Sequence, residues 1–221
     1  MSKHFIALDF SCSKPAMTTL INGCIDFFVF PSNIDTKSES ILKAANIIVH
    51  NRNLEPINKA NHTEHTLIIE QVNRASNLAY IIASTINDIV SVNNISKDDT
   101  IIANEGFSFG SKGDAALDLA GYKYLLMFYL IKRGFTNFRT YSPIQIKKTA
   151  HCSFKGSTKL DMIKAMANDN IFYHPFIDLL ALEPQQLKKK TAFVPTIDDI
   201  ADSYWCLRTC LKETLKENTD K

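Results

Sequence analysis

Four acidic residues stand at positions where a carboxylate could do chemistry. Asp9 interrupts the apolar segment FIALDF, in which a buried charge is costly unless it is paired or bound to a metal ion. Glu105 follows the apolar stretch Thr100–Ala103, a position where α/β sheets place ligand-binding groups. Asp199 and Asp202 are three residues apart near the start of a predicted helix, so they face the same way. The four side chains are therefore candidates for one site.

The chemistry that such a cluster favours is metal-assisted phosphodiester hydrolysis. Clustered carboxylates repel one another, and their pKa values rise unless a cation is supplied. Two Mg²⁺ ions about 3.5 to 4 Å apart would relieve this repulsion, activate a water and neutralise charge on a phosphate under in-line attack. Each acid also has an ordinary alternative: a lysine partner for Asp9, a strand-end position for Glu105, and a favourable helix dipole for Asp199 and Asp202.

These acids need a scaffold, and the apolar pattern predicts one. The segments Phe5–Phe10, Met17–Ile21 and Ile25–Phe30 predict a three-stranded antiparallel meander, because Asn22-Gly23 between the last two is a strong hairpin signal. In the rest of the chain, segments with apolar residues at helical spacing alternate with short apolar runs that are typical of strands. The predicted helices are Leu67–Val92, Asp114–Lys132, Ser157–Asn168 (with Ser157 as its cap) and Ile197–Leu215, and the predicted strands are Thr100–Ala103 and Asn137–Tyr141. This order predicts an α/β fold with a mixed sheet flanked by helices.

Length and composition restrict the class of protein. A chain of 221 residues with 45% hydrophobic and 22% charged residues predicts one folded domain, with an insertion at about 32–65 where the sequence is polar. Apolar runs are far shorter than the roughly 20 residues of a membrane span, and no secretory signal is recognisable. Five cysteines without a C-x-x-C pair indicate a reducing, intracellular (cytoplasmic) location. The P-loop sequence is missing, so no nucleotide cofactor is expected.

Positive charge and aromatic residues point to a nucleic-acid ligand. Between positions 132 and 164 the sequence has eight Lys or Arg residues and a single acid, which predicts a basic face. Phe107 and Phe109, just beyond Glu105, are candidates for an aromatic wedge that stacks on bases; the alternative is that both pack beneath their loop. The lysines expected to contact DNA phosphates are Lys112, Lys147, Lys148, Lys155 and Lys159.

The order of these features resembles that of the RuvC-type Holliday junction resolvases, members of the RNase H-like superfamily. Asp9, Glu105 and the terminal D-x-x-D at 199–202 look like the four catalytic acids of this family. The segment YSPIQIKK at 141–148 resembles a strand that leads into a proline or alanine and then Q-[VI]-K, and GSTK at 156–159 resembles the glycine and lysine before a helix. Where the family usually has a glycine after the first acid, this chain has FSCS, and the divergence is similar to that of phage or viral members.

The resemblance implies a structure-selective endonuclease that binds four-way DNA junctions and hydrolyses a phosphodiester in each of two strands. Asp9, Glu105, Asp199 and Asp202 would bind two Mg²⁺ ions per active site, with Mn²⁺ as a substitute, and Lys159 would be catalytic. Two symmetric cuts need two active sites, so a homodimer is expected. Its predicted interface is the helix Asp114–Lys132, which has too many apolar residues for one buried stripe: Leu117, Leu119, Tyr122, Tyr124, Leu125, Leu126, Phe128 and Tyr129. The alternative is a helix buried on two sides within the monomer.

Three other functions fit parts of the sequence. A related RNase H-like nuclease acting on RNA:DNA hybrids or flaps would use the same acids. A non-enzymatic protein that binds branched DNA would be indicated by loss of an acid, and all four are present. A phosphotransferase of the actin and sugar-kinase type would need a glycine-rich turn after Asp9 and about twice the length, and the chain has neither.

Overall fold

The computed structural model describes residues 3–11, 13–55, 57–58, 63–106, 114–153, 156–177 and 196–219, with the backbone alone for 114–119. Its strands are β1 (His4–Asp9), β2 (Ala16–Ile21), β3 (Cys24–Val29), β4 (Ile48–Val49), β5 (Thr100–Glu105) and β6 (Phe138–Tyr141). Its helices are α1 (Thr36–Ala44), α2 (Glu64–Val92), α3 (Asp114–Lys132), α4 (Pro143–Thr149), α5 (Lys159–Ala167) and α6 (Ile197–Thr219). Among these helices none is long and apolar enough to cross a membrane.

The strands form one mixed sheet in the order β4-β3-β2-β1-β5-β6. β1, β2 and β3 are the predicted antiparallel meander, while β5 lies parallel to β1, β6 parallel to β5 and β4 parallel to β3. Asn22 and Gly23 connect β2 to β3 with φ angles of 51° and 82°, the left-handed pair that a tight two-residue hairpin requires. The predicted fold class, an α/β mixed sheet flanked by helices, is confirmed.

Alternating side chains give the sheet two apolar faces, and helices cover both. Ile6, Leu8 and Ile102 pack on one face against α2 and α3, in a core that includes the buried Leu78 and Ile82. The other face carries the odd-numbered residues of β1 and β5, which pack against α4, α5 and α6. The apolar residues of this set are Phe5, Ala7, Ile101 and Ala103. Burial of these two apolar layers, at roughly 25 cal/mol per Å², stabilises the sheet in its central position.

Hydrogen bonds at the helix starts correct two details of the sequence-based prediction. α4 was not predicted, although it begins with a capping box in which Ser142 and Gln145 bond each other's backbone N–H, followed by a proline in the first turn. The predicted cap Ser157 is wrong, because α5 begins one residue later, where the N–H and the hydroxyl of Thr158 both donate to Asp161. These caps hold two lysine-bearing helices, α4 and α5, at the face that α6 covers.

The polar segment at about 32–65 contains α1 and β4. Asp35 caps α1 by accepting from the N–H of Ser38 at 2.9 Å. Leu42 and Ile47 anchor the segment in the main core. β4 therefore extends the sheet by one strand next to β3.

Candidate active site

Asp9 and Glu105 lie side by side at the carboxyl ends of adjacent parallel strands. The register pairs Leu8 with Asn104, so one further step places Asp9 beside Glu105. Both side chains belong to the odd-numbered set of their strands, which faces α6. Burial raises the pKa of Glu105, and the side chain of Asp9 is close enough to act in the opposite direction as a hydrogen-bond partner.

Helix α6 brings the other two acids to the same place. Its orientation is set by buried apolar residues such as Ile200 and by a buried hydrogen bond of 2.7 Å between the hydroxyls of Ser203 and Thr18, which connects α6 to β2. Asp199 is 9% exposed, and Asp202 interacts electrostatically with Asp9. The acids of β1, β5 and α6 are therefore near enough to one another to interact electrostatically.

The cluster is electrostatically unfavourable without a compensating cation. Burial, followed by repulsion from Asp202 and the other acids, raises the pKa of Asp9 well above its ordinary value. Burial and the neighbouring Asp198 raise the pKa of Asp199 to about 7. Burial raises the pKa of Asp202 to about 6, although Lys159 acts in the opposite direction, and burial also raises the pKa of Glu105. These shifts mean that the four carboxyls resist full ionisation at neutral pH.

Lys159 stands at the rim of the cluster, in the first turn of α5. Its Nζ donates to Asp198 Oδ2 at 2.8 Å and lies 3.6 Å from Asp202 Oδ2. Partial burial acts to lower the pKa of Lys159, but these carboxylates outweigh burial and raise it. The amine is therefore a charged group, 61% exposed, that faces both the acids and solvent. Asp198, whose role the sequence left open, is its hydrogen-bond partner.

Lys123 is a neighbour of the site that the sequence analysis missed. It projects from α3, and its Nζ donates to the backbone carbonyl of Glu105. Burial lowers the pKa of Lys123, while Glu105 and Asp9 act to raise it. The side chain lines a cleft of about 150 Å³ together with Gly106 and Thr140. Its only sequence signal is a charge within the apolar run GYKYLLMF.

Comparisons with known proteins bear on the fold. No family model and no curated protein matches the chain. Among solved structures, RuvC from Thermus thermophilus matches with a TM-score of 0.50 and 11% identity, over 97% of this chain and 96% of that one. The chain has an RNase H-like fold.

Two further solved structures match at similar levels. Thermus thermophilus RuvC in complex with a Holliday junction substrate has a TM-score of 0.49 and 10% identity, over 97% of this chain and 96% of that chain. The yeast mitochondrial Holliday junction resolvase has a TM-score of 0.49 and 12% identity, over 94% of this chain and 77% of that chain. At these identities the likeness to all three structures concerns the fold.

The donor chemistry of these acids fits a divalent cation. Carboxylate oxygens are the ligands that Mg²⁺ and Mn²⁺ prefer. Burial raises the pKa values of Asp199 and Asp202, and a bound cation would favour their ionised form. Among the described residues, no three His, Cys, Asp or Glu side chains are grouped closely enough to hold one ion as they stand. Lys159 instead pairs with Asp202 at 3.6 Å.

The predicted DNA contacts other than Lys159 divide into two groups. Lys147 and Lys148 are exposed on α4, and Lys147 is near enough to influence Glu105 electrostatically. Phe107, Phe109, Lys112 and Lys155 lie outside the described residues. The predicted basic face is too extensive, because Arg139 pairs with Glu217 at 2.8 Å and Arg133 packs over Tyr80 between α2 and α3.

Proposed function

We propose that this chain is a structure-selective endonuclease that resolves four-way DNA junctions by metal-dependent phosphodiester hydrolysis. The observation that carries the proposal is the convergence of Asp9, Glu105, Asp199 and Asp202 from three separate elements, with the pKa values of all four raised. A fold that only needed stability would gain by replacing such a cluster with apolar residues. Its retention is explained by binding of cations and of a phosphate. In this proposal residues 1–221 form one nuclease domain with an insertion at about 32–65.

Each residue has a distinct task in this mechanism. Asp9, Glu105, Asp199 and Asp202 would hold two Mg²⁺ ions, which supply an activated water and neutralise charge on the scissile phosphate. Lys159 would move from its carboxylate partners to a phosphate oxygen, where its charge stabilises the transition state. Exposed lysines on α4 would bind the backbone of the strand that enters the site.

A homodimer would supply the second active site. Tyr124 and Phe128 on α3 are 68% and 52% exposed, and Ile131 on the same helix is 54% exposed. Leu126 and Leu130 are buried against the sheet, so α3 is covered on one side within the monomer. We propose the exposed side of α3 as the dimer interface, where two copies would cover these aromatic rings.

The decisive experiment is a cleavage assay on labelled four-way junctions, flaps, RNA:DNA hybrids and linear duplexes. We expect cutting of the four-way junction with Mg²⁺ or Mn²⁺, and binding without cutting in Ca²⁺. Asp9→Asn and Asp202→Asn should abolish cutting and retain binding, because phosphate contacts come from lysines. Asp88→Asn, on the exposed side of α2, is the matched control and should cut normally.

The outcomes separate the competing functions. A preference for hybrids or flaps would change the proposed substrate, while the proposed metal-dependent hydrolysis would stand. Binding of junctions without cutting in any metal would indicate a non-enzymatic branched-DNA protein. Undiminished cutting by Asp9→Asn would refute the role of the carboxylate cluster.

A further inference from the structure

A second polar pocket lies between the segment that follows β4 and the amino-terminal half of α2. Its volume is about 510 Å³, within the roughly 300 to 1,000 Å³ that small-ligand pockets occupy. Amides, two guanidinium groups, a carboxylate and an imidazole line it together with apolar side-chain surface: His50, Asn51, Arg52, Leu54, Glu70, Asn73, Arg74, Asn77 and Ile81. Such a lining is suited to a ligand with many hydrogen-bonding groups.

The pocket opens at the same edge of the sheet as the acids. β4 is parallel to β3, and β3 runs in the direction of β1, so His50 after β4 and Asp9 at the end of β1 lie at one edge. Three strand spacings of about 4.8 Å separate β1 from β4, which is roughly 14 Å. Because α2 covers the sheet face opposite α6, a nucleic-acid strand in the active site would reach the pocket by passing over this edge of the sheet.

Hydrogen bonds tie the pocket wall to the loop that follows Asp9. Arg52 donates from Nε to the carbonyl of Phe30 at 3.2 Å and from Nη2 to Ser32 Oγ at 2.6 Å. Ser32 in turn donates its backbone N–H to the carbonyl of Ser13 at 2.7 Å. Ser13 is four residues beyond Asp9, so the pocket and the catalytic strand are held in a fixed relation.

His50 provides an aromatic surface in the wall. Its ring stacks on Phe30 with centroids 4.9 Å apart and planes inclined by 8°. The residue is only half-buried, and it lines the cavity. Burial lowers the pKa of His50, which favours the neutral ring, and an aromatic ring of this kind can stack on a nucleobase.

The opposite wall offers hydrogen-bonding groups on α2. Asn73 and Asn77 are four residues apart and both exposed, so their amides lie one above the other at the cavity. Amide side chains present a donor and an acceptor together, the pattern that pairs with a base edge. Arg74 is held by Glu70 Oε1 at 2.6 Å and by the carbonyl of Glu55 at 2.7 Å, which fixes a guanidinium beside them.

We propose that this pocket binds one unstacked nucleotide of the DNA strand that enters the active site, with the base on His50 and its edge at Asn73 and Asn77. The proposal rests on the proposed function and adds a determinant of cleavage position to it. By holding one nucleotide at a set distance from Asp9, the pocket would select which phosphate reaches the acids. The pocket would thus give a junction nuclease a preferred cutting site.

The test combines an abasic scan of a four-way junction with two pocket variants, with binding measured in Ca²⁺. For the wild-type protein, one abasic position should weaken binding by roughly 5- to 150-fold, the range expected for loss of a stacked base. His50→Leu and Asn77→Ala should each weaken binding to the intact junction and should lose most of their sensitivity to that same abasic position. Asn87→Ala, on α2 but outside the pocket, is the control and should keep the wild-type pattern.

Other outcomes overturn the proposal in recognisable ways. If no abasic position matters, or if Asn77→Ala is as sensitive as the wild type, the pocket does not hold a base of the strand. If the abasic scan is flat, but free dAMP binds the wild type and does not bind His50→Leu, the pocket binds a free nucleotide instead. If the wild type binds no branched DNA at all, the failure belongs to the proposed function, and it is seen before any variant is compared. Asn77→Ala alters an exposed residue, so it tests the idea even if His50→Leu folds poorly.

Discussion

Asp199→Asn removes a carboxyl group that the fold holds almost out of water. Burial and Asp198 raise the pKa of Asp199 from 3.8 to about 7. At 1.36 kcal/mol per pH unit, this shift corresponds to at most about 4 kcal/mol of lost stability at pH 8. The substitution also removes the favourable interaction of this acid with the dipole of α6, which costs up to about 1 kcal/mol of stability. We therefore expect Asp199→Asn to be more stable than the wild type by about 2 kcal/mol, or roughly 4 to 8 °C in Tm.

The direction of the pKa shift determines how the stability difference between Asp199→Asn and the wild type depends on pH. Between about pH 4 and pH 7 the native Asp199 carboxyl is protonated while the unfolded one is ionised, so folding takes up a proton. The contribution of this group to stability is greatest below pH 4 and is lost as the pH rises toward 7. The advantage of Asp199→Asn should accordingly be greatest at pH 8 and below about 1 kcal/mol at pH 4.

Thermal melts in metal-free buffer at pH 4, 6 and 8 measure this difference. Addition of Mg²⁺ at pH 8 should raise the Tm of the wild type and leave Asp199→Asn nearly unchanged, since a bound ion stabilises only the native state that holds it. The variant should not cut DNA. An unchanged or lower Tm at pH 8 for Asp199→Asn would refute the account of the cluster as ionised carboxyls under mutual repulsion.

Three further outcomes follow from other contacts. Lys159→Met should slow single-turnover cutting by about 10- to 100-fold with little loss of binding, and Lys159→Arg should restore part of the rate; normal cutting by Lys159→Met would exclude a catalytic role. Asp169→Ala should lower the urea-derived free energy of unfolding by about 3 kcal/mol, because the partly buried Arg208 and the hydroxyl of Tyr204 lose their shared acceptor; a change below about 1 kcal/mol would show that water replaces it. Phe128→Ser should weaken self-association in analytical ultracentrifugation, and an unchanged sedimentation profile would place any dimer interface elsewhere.

Local pattern was sufficient to predict most of the elements. The strands of the meander follow from short apolar runs around Asn22-Gly23, because left-handed backbone at two consecutive positions is cheap only for such residues. α2 follows from its helical spacing, and α6 from the same signal. α4 was missed even though Ser142-Pro143 with Gln145 is a helix-start signal, since the segment is only seven residues long.

The sequence identified which acids are candidates for one site, but not how packing would bring them together. Asp9 and Glu105 could be anticipated as neighbours because both end apolar strands. Their meeting with Asp199 depends on the rotation of α6, which buried contacts such as Ser203 with Thr18 establish across 185 residues of chain. No local spacing encodes a contact of that range, because it is set by how two apolar faces pack together.

Apart from Lys159, which the family resemblance implied, the charges around the acids were decided by tertiary structure. Lys123 comes from the helix on the opposite face of the sheet, yet its long side chain reaches the carbonyl of Glu105. Lys159 donates a hydrogen bond to Asp198, which lies 39 residues away in the sequence. Arg139, which the sequence pattern assigned to a basic face, pairs with Glu217. Residue types and order along the chain determined that a carboxylate site would form, because strand ends and helix starts are local features. Which cations face that site was settled only in the folded chain, because a charged side chain on a flexible stem pairs with whatever packing places within its reach.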